Sequence, residues 1–166
     1  MPASAAREPS ATLTWAQRLG AAHGHVAAAL TQLQAPCLLL ARWVVAKAFF
    51  LSGLTKLRDW DTTVALFTDE YQVPLLPPEL AAVLGAGGEL LFPVLLWLGL
   101  GGRYAALGLS AVNGVAVISV AEMAPAAFGQ HLWWGTLLLG VALWGAGRWS
   151  VDAVIARAMR AAHPVR

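Results

Sequence analysis

Hydrophobic positions follow two rhythms along the chain. From Ser10 to Gln34 they return every three or four residues, at Trp15, Leu19, Ala22, Val26, Leu30 and Leu33. That spacing is one face of a helix, with Ser10 as its expected N-cap. Arg18, Gln32 and the histidines His23 and His25 fall mostly off the stripe. Two placements suit such a helix: lying in the membrane interface, or packed on a helical bundle from the cytoplasm. From Pro36 onward the alternation gives way to long apolar runs, at about 36–57, 78–101, 104–123 and 131–149. Each run approaches the roughly 20 residues that cover ~30 Å of hydrocarbon. The pattern therefore predicts an all-α integral membrane protein. Residues 1–34 form a cytoplasmic tail and an N-terminal amphipathic interfacial helix, 35–149 a four-transmembrane-helix bundle, and 150–166 a cytoplasmic C-terminal tail.

The connections refine this picture. Arg58–Pro78 is the longest, acidic through Asp59, Asp61, Asp69 and Glu70, with Trp60 and Tyr71 suited to an interfacial belt. A short helix over Thr62–Phe67 fits within it. Ala81, Gly85 and Gly88 make a small-residue face on the second span, which lets a neighbouring helix or a second copy approach closely. Pro93 removes the N–H that would bond the carbonyl of Glu89, predicting a kink. Gly101-Gly102-Arg103 makes a tight turn.

Composition agrees with the hydropathy pattern. The chain is 58% hydrophobic and 12% charged, about half the charge of a soluble domain, with a mean hydropathy of +0.63. A net charge of +2 without a basic run argues against nucleic acid. The single cysteine, Cys37, excludes an internal disulfide and a CxxC pair. It reads as a small hydrophobe, with acylation as the alternative. Residues 1–34 contain no apolar core of a cleavable signal, so the first span is expected to be an uncleaved anchor. Arg7, Arg18, Arg103, Arg148, Arg157, Arg160 and Arg166 fall on one side of the four spans, and Lys56 and Arg58, among acids, on the other. The positive-inside rule then puts both termini in the cytoplasm of a bacterial inner membrane.

Ionisable groups inside spans are the candidate chemistry. Glu89 lies ten residues from Glu79 and fourteen from Arg103, near the expected midplane, where a charge costs about 2.5–3.5 kcal/mol. Counting inward from the span ends places Lys47 and Asn113 in the same layer, ~15 Å from a surface. Lys47 is then the natural partner of Glu89; Arg42, about 7.5 Å nearer the cytoplasm, is the alternative. One reading makes this set glue that fixes helix register. The other, favoured here, makes it a proton relay or ligand site, with Glu89, Lys47 and Arg42 as its working groups. Phe49 and Trp97 are the expected ring-stacking walls, and Asn113 an added hydrogen-bonding partner. His131 and Glu122 are expected to meet at the outer ends of their spans as an anchor rather than a metal site. No haem, flavin or iron–sulfur motif is visible, and no metal site is predicted.

Arg42, the run Phe50-Leu51-Ser52-Gly53-Leu54-Thr55-Lys56-Leu57, Pro74-Leu75-Leu76-Pro77, Glu89-Leu90 and Gly99-Leu100-Gly101-Gly102-Arg103 followed by Ala105-Ala106 resemble, in this order and spacing, the DoxX family of small four-helix bacterial membrane proteins. The likeness covers roughly Leu39–Ser150. Asp59-Trp60-Asp61-Thr62-Thr63, Leu66-Phe67 and Glu70-Tyr71 look like a branch encoded beside metal-stress peptides and the non-haem iron enzymes that modify them. The family takes its name from a small subunit of an archaeal thiosulfate:quinone oxidoreductase or terminal quinol oxidase. The resemblance thus implies an accessory subunit of a quinone-linked oxidoreductase system, not self-sufficient as an enzyme, with quinone as the cofactor and a protein partner or second copy beside it. Two alternatives stay open: a non-enzymatic membrane anchor or assembly protein for metal-stress peptide maturation or export, and a small transporter.

Overall fold

The structure, a computed structural model, describes residues 14–162. Among these, six helices follow one another with no strand: α1 (Trp15–Arg58), α2 (Trp60–Asp69), α3 (Pro78–Leu98), α4 (Gly102–Ser119), α5 (Pro125–Trp144) and α6 (Val151–Ala162). α1 and α3 are long and apolar enough to cross a membrane.

The N-terminal helix differs from expectation. Ser10, the expected cap, lies outside the described residues. α1 instead begins behind Thr14, whose hydroxyl accepts from the Gln17 N–H while the Gln17 side chain accepts from the Thr14 N–H at 2.8 Å. This is a Thr-x-x-Gln capping box. Nor does the helix end before the first span: α1 is continuous through Pro36. A proline removes one N–H from the ladder, and here the helix runs on at that loss. The stripe residues Trp15, Leu19, Val26, Leu30 and Leu33 are exposed.

From Ala35 onward the helices share a core in which Val45, Ala46 and Phe49 of α1, Leu96 of α3, Ala105, Ala106 and Leu109 of α4, and Leu138 and Val141 of α5 are buried together. Small residues set the approach distances. A Cβ on Gly88 would meet Val112 at 2.8 Å, and one on Gly108 would run into the Phe92 ring. The acidic connection folds into α2, longer than Thr62–Phe67. Its start is capped by Asp59, which accepts from the Thr62 N–H at 3.0 Å, and those bonds hold the Asp59 carboxyl below its usual range. α2 lays Phe67 on Ala81 and Ala82 and against Gly85. Ala81, Gly85 and Gly88 thus meet neighbours within the chain. Tyr71 pairs with Val120, and the Gln72 N–H donates to Ser119 O at 2.8 Å.

At the opposite end α3 finishes in a Schellman turn: Gly99 adopts φ +64, and Leu100 N–H reaches back to Leu95 O at 3.0 Å. Arg42, fully buried, donates to Leu96 O at 3.4 Å and to Trp149 O at 2.6 Å. Gly99 sits so close that any Cβ there would overlap the guanidinium. Asp152, in the first turn of α6, accepts from the N–H groups of Gly101 and Gly102 at 2.8 and 2.9 Å, capping α4 from another helix. α6 lies within the stretch read from the sequence as a C-terminal tail. Ser150 caps it by accepting from Ala153 N–H, and Val154, Ile155 and Met159 form an exposed apolar stripe.

This junction generates the first prediction. Arg42→Met removes the donors to Leu96 O and Trp149 O and leaves Asp152 without its counter-charge, and should lower stability by about 3–5 kcal/mol. Asp152→Asn should then cost less in the Arg42→Met background than in the wild type. Unfolding followed in mild detergent checks both; additive losses would show that the two groups are not coupled.

Candidate functional site

The buried charge pair is Glu89 with Lys56. Lys56 Nζ lies 2.7 Å from Glu89 Oε2 and 3.0 Å from Ser52 Oγ. Neither expected partner takes this position. Arg42 is held at the far end of the core by backbone carbonyls. Lys47 is exposed on another face of α1 and has no hydrogen bond or ion pair among the described residues.

The error in register has a physical origin. Counting inward from span ends assumes that α1 and α3 start level at the acidic end. Instead the first turns of α3 pack on α2, and α1 meets α3 further along. The contact is at Gly53, where an added Cβ would fall 3.1 Å from Glu89 Cβ and 2.9 Å from Leu90 Cγ. Glu89 is thus level with a residue five before the end of α1. Lys56, three residues beyond Gly53, turns its stem back along the helix to reach it, as the N-terminal tilt of helical side chains allows.

Asn113 is also elsewhere. Its Nδ2 donates to His131 O at 3.1 Å and its Oδ1 lies 2.8 Å from His131 Nδ1, tying α4 to α5. His131 therefore bonds Asn113 and not Glu122, which is exposed. The expected ring walls do not flank Glu89. Phe49 stands edge-on to Trp134, centroids 5.1 Å apart. Trp97 packs between Trp43 and Phe50, its indole N–H buried without a partner. The single polar layer is in fact three separate sets: Lys56–Glu89, Asn113–His131, and the Arg42 junction.

Near Lys56–Glu89, α2 packs Phe67 against Gly85, one turn of α3 before Glu89. Thr63 donates to Lys56 O at 3.0 Å, fixing α2 to the end of α1. Phe67 and Tyr71 stack edge-on at 5.1 Å. Burial, then the charges of Glu70 and Glu89, push the Tyr71 phenol above its usual value. An ammonium has three donors; two are used here, and Glu89 Oε1 has no hydrogen bond among the described residues. The set thus holds a free donor, a free acceptor and a titratable carboxylate within a partly shielded site. Lys56 was legible as charged but read as a helix end; the signal that assigns it is Gly53, one turn before it, where α3 comes too close for a side chain.

The described residues are all helical or irregular, and two of the helices, α1 and α3, are long and apolar enough to cross a membrane. The DoxX family model matches residues 37–122, more than half the chain, including Arg42, Lys56, Glu89 and Asn113; the chain belongs to the DoxX family, a membrane family. No curated protein and no solved structure matches it.

Two predictions follow from the pair and its phenol. Glu89→Leu or Lys56→Leu alone strands a buried charge, a loss of about 3–5 kcal/mol where such a pair is broken, while the double substitution should recover part of it. A Glu89→Leu, Lys47→Leu cycle should be additive; detergent unfolding of the six proteins checks this. For Tyr71, a raised phenol keeps its proton to higher pH in the folded than in the unfolded chain. Its stabilising effect is complete below the ordinary phenol value of 10.0 and declines as pH rises through and above it. Tyr71→Phe should flatten that decline in unfolding midpoints measured at alkaline pH.

Proposed function

We propose that the chain is a four-span accessory subunit of a quinone-linked oxidoreductase system in a bacterial inner membrane, needing a partner for turnover. The observation that carries the reading is the Lys56–Glu89 pair: a carboxylate and an ammonium with hydrogen-bonding capacity left over, beside Phe67 and Tyr71. A quinone head group is flat, with two carbonyl oxygens. It needs a donor, which the third Lys56 N–H supplies, an aromatic wall, and a group that exchanges protons on reduction, which Glu89 supplies. In this site Phe67 and Tyr71 take the part first expected of Phe49 and Trp97. A link to metal or redox stress rests on the Asp59–Tyr71 stretch alone.

In this reading α4 and α5 cross the bilayer with α1 and α3. The end that carries Arg42, Arg103, Arg148, Arg157 and Arg160 faces the cytoplasm, as the positive-inside rule supports. The exposed apolar stripe of α6, backed by Arg157 and Arg160, suits the inner leaflet surface. α2 then lies outside. A Thr68→Cys protein in a Cys37→Ser background should react with an impermeant thiol reagent in intact spheroplasts; reaction only after permeabilisation reverses the orientation.

Glu89→Gln tests the function. It keeps the volume and an acceptor for Lys56 but removes the titratable proton. Wild-type protein purified in mild detergent should carry quinone detectable by organic extraction and mass spectrometry. Glu89→Gln should stay folded, losing less stability than Glu89→Leu because Lys56 keeps an acceptor, and should lose quinone-dependent electron transfer in membranes. If no quinone accompanies the wild type and Glu89→Gln cells behave normally, the pair is structural and the anchor or assembly role takes precedence.

A further inference from the structure

A second polar set lies between α4 and α5, in a groove of about 400 Å³. Asn113 and His131 line it together with Gly114, Gly135, Phe128 and Leu139. The two glycines have different duties. A Cβ at Gly135 would press on Asn113 Nδ2 at 3.4 Å, whereas one at Gly114 would meet nothing within 4 Å. Gly135 lets the Asn113 amide reach across; Gly114 leaves space that no packing neighbour uses.

The hydrogen bonds fix the chemistry of His131. Because Asn113 Nδ2 donates to His131 O, the amide oxygen is the atom facing the ring, 2.8 Å from Nδ1. An amide oxygen only accepts, so Nδ1 must carry the proton. Among the described residues no carboxylate bonds the ring, and an imidazole among apolar side chains without one is neutral. A neutral imidazole has a single N–H, so Nε2 presents a lone pair. Nε2 has no hydrogen-bond partner among the described residues and is not one of the buried unpartnered atoms, so it is open to an occupant. Phe128, Leu132 and Leu139 are exposed apolar surface beside it.

We propose that this groove binds a membrane-dissolved amphiphile through a hydroxyl or phenol that donates to His131 Nε2, its apolar part lying along Phe128 and Leu139. A ligand offering only acceptors, such as an ether, ester or ketone, meets a lone pair and gains no hydrogen bond. The site therefore selects for a donor head group. It is separate from Lys56–Glu89 and stands whether or not that pair handles quinone.

The probes are para-octylphenol and its methyl ether, titrated into full-length protein in bilayers with isotope-labelled histidine observed by nitrogen NMR. The His131 signal is assigned as the one missing from His131→Phe. The resting Nε2 should be unprotonated. The phenol should bind saturably and shift that nitrogen, and should bind about five- to tenfold tighter than the ether, the margin of one neutral hydrogen bond. Gly114→Leu fills the groove and replaces a glycine with a better helix former. It should fold as wild type and lose the phenol shift. Bilayers with and without hydroxyl-bearing phosphatidylglycerol separate the natural sources. A resting shift in phosphatidylglycerol alone identifies a lipid head group, and displacement only by added phenol a free amphiphile. Equal binding of phenol and ether, a protonated resting Nε2, or phenol binding unchanged by Gly114→Leu would each overturn the proposal.

Discussion

The helices from Ala35 onward depend on one buried cation. Arg42 has no exposed surface, and a guanidinium in an apolar core needs acceptors to offset its lost hydration. The fold supplies two from the backbone, Leu96 O at the end of α3 and Trp149 O before α6, while Nε has no partner among the described residues. Supplying those carbonyls forces α3 to stop where it does, requires a glycine at position 99 so that the guanidinium has room, and brings the start of α6 against the α3–α4 turn. Asp152 then caps α4 and offsets the charge of Arg42. Three helix ends and a linker are thereby placed by one side chain.

The same logic explains why Arg42 is a poor candidate for chemistry and Lys56 a better one. A guanidinium locked to carbonyls is rigid and always charged. An ammonium that shares two of its three donors and faces a carboxylate can change partners. In the sequence both residues are simply cations of the same apolar run. What separates them is what they touch: main-chain acceptors that cannot titrate, or a carboxylate that can.

Helix placement was largely legible in the sequence because it follows from hydropathy and turn chemistry. The glycine-rich α3–α4 turn, the helical tendency of the acidic connection and the apolar runs all reflect local rules. The Thr14–Gln17 capping box and the Ser150 cap of α6 were missed, although Thr-x-x-Gln and a serine before an apolar stripe at helical spacing carry the signal. The polar contacts were not legible. Their registers depend on how far each helix slides along its neighbour. That sliding is set by pairs such as Gly53 with Glu89 and Leu90, Gly85 with Phe67, and Gly88 with Val112, none of which leaves a mark on hydropathy. A shift of nine residues between Lys47 and Lys56 changes the partner of Glu89 altogether.

The distribution of glycines carries the argument one step further. Gly53, Gly85, Gly88, Gly99, Gly102 and Gly108 each stand where a Cβ would press on or overlap a neighbouring segment, so close contact accounts for their presence. Gly87 and Gly114 do not, and at Gly114 the missing side chain faces open space beside Asn113 and His131. A glycine inside a helix is unfavourable by about 1 kcal/mol relative to alanine, and where nothing packs against it that loss brings no gain in packing. The Lys56–Glu89 and Asn113–His131 sets are therefore built differently. Around Lys56–Glu89, Gly53, Gly85 and Gly88 close the structure up. Beside His131, Gly114 holds it open.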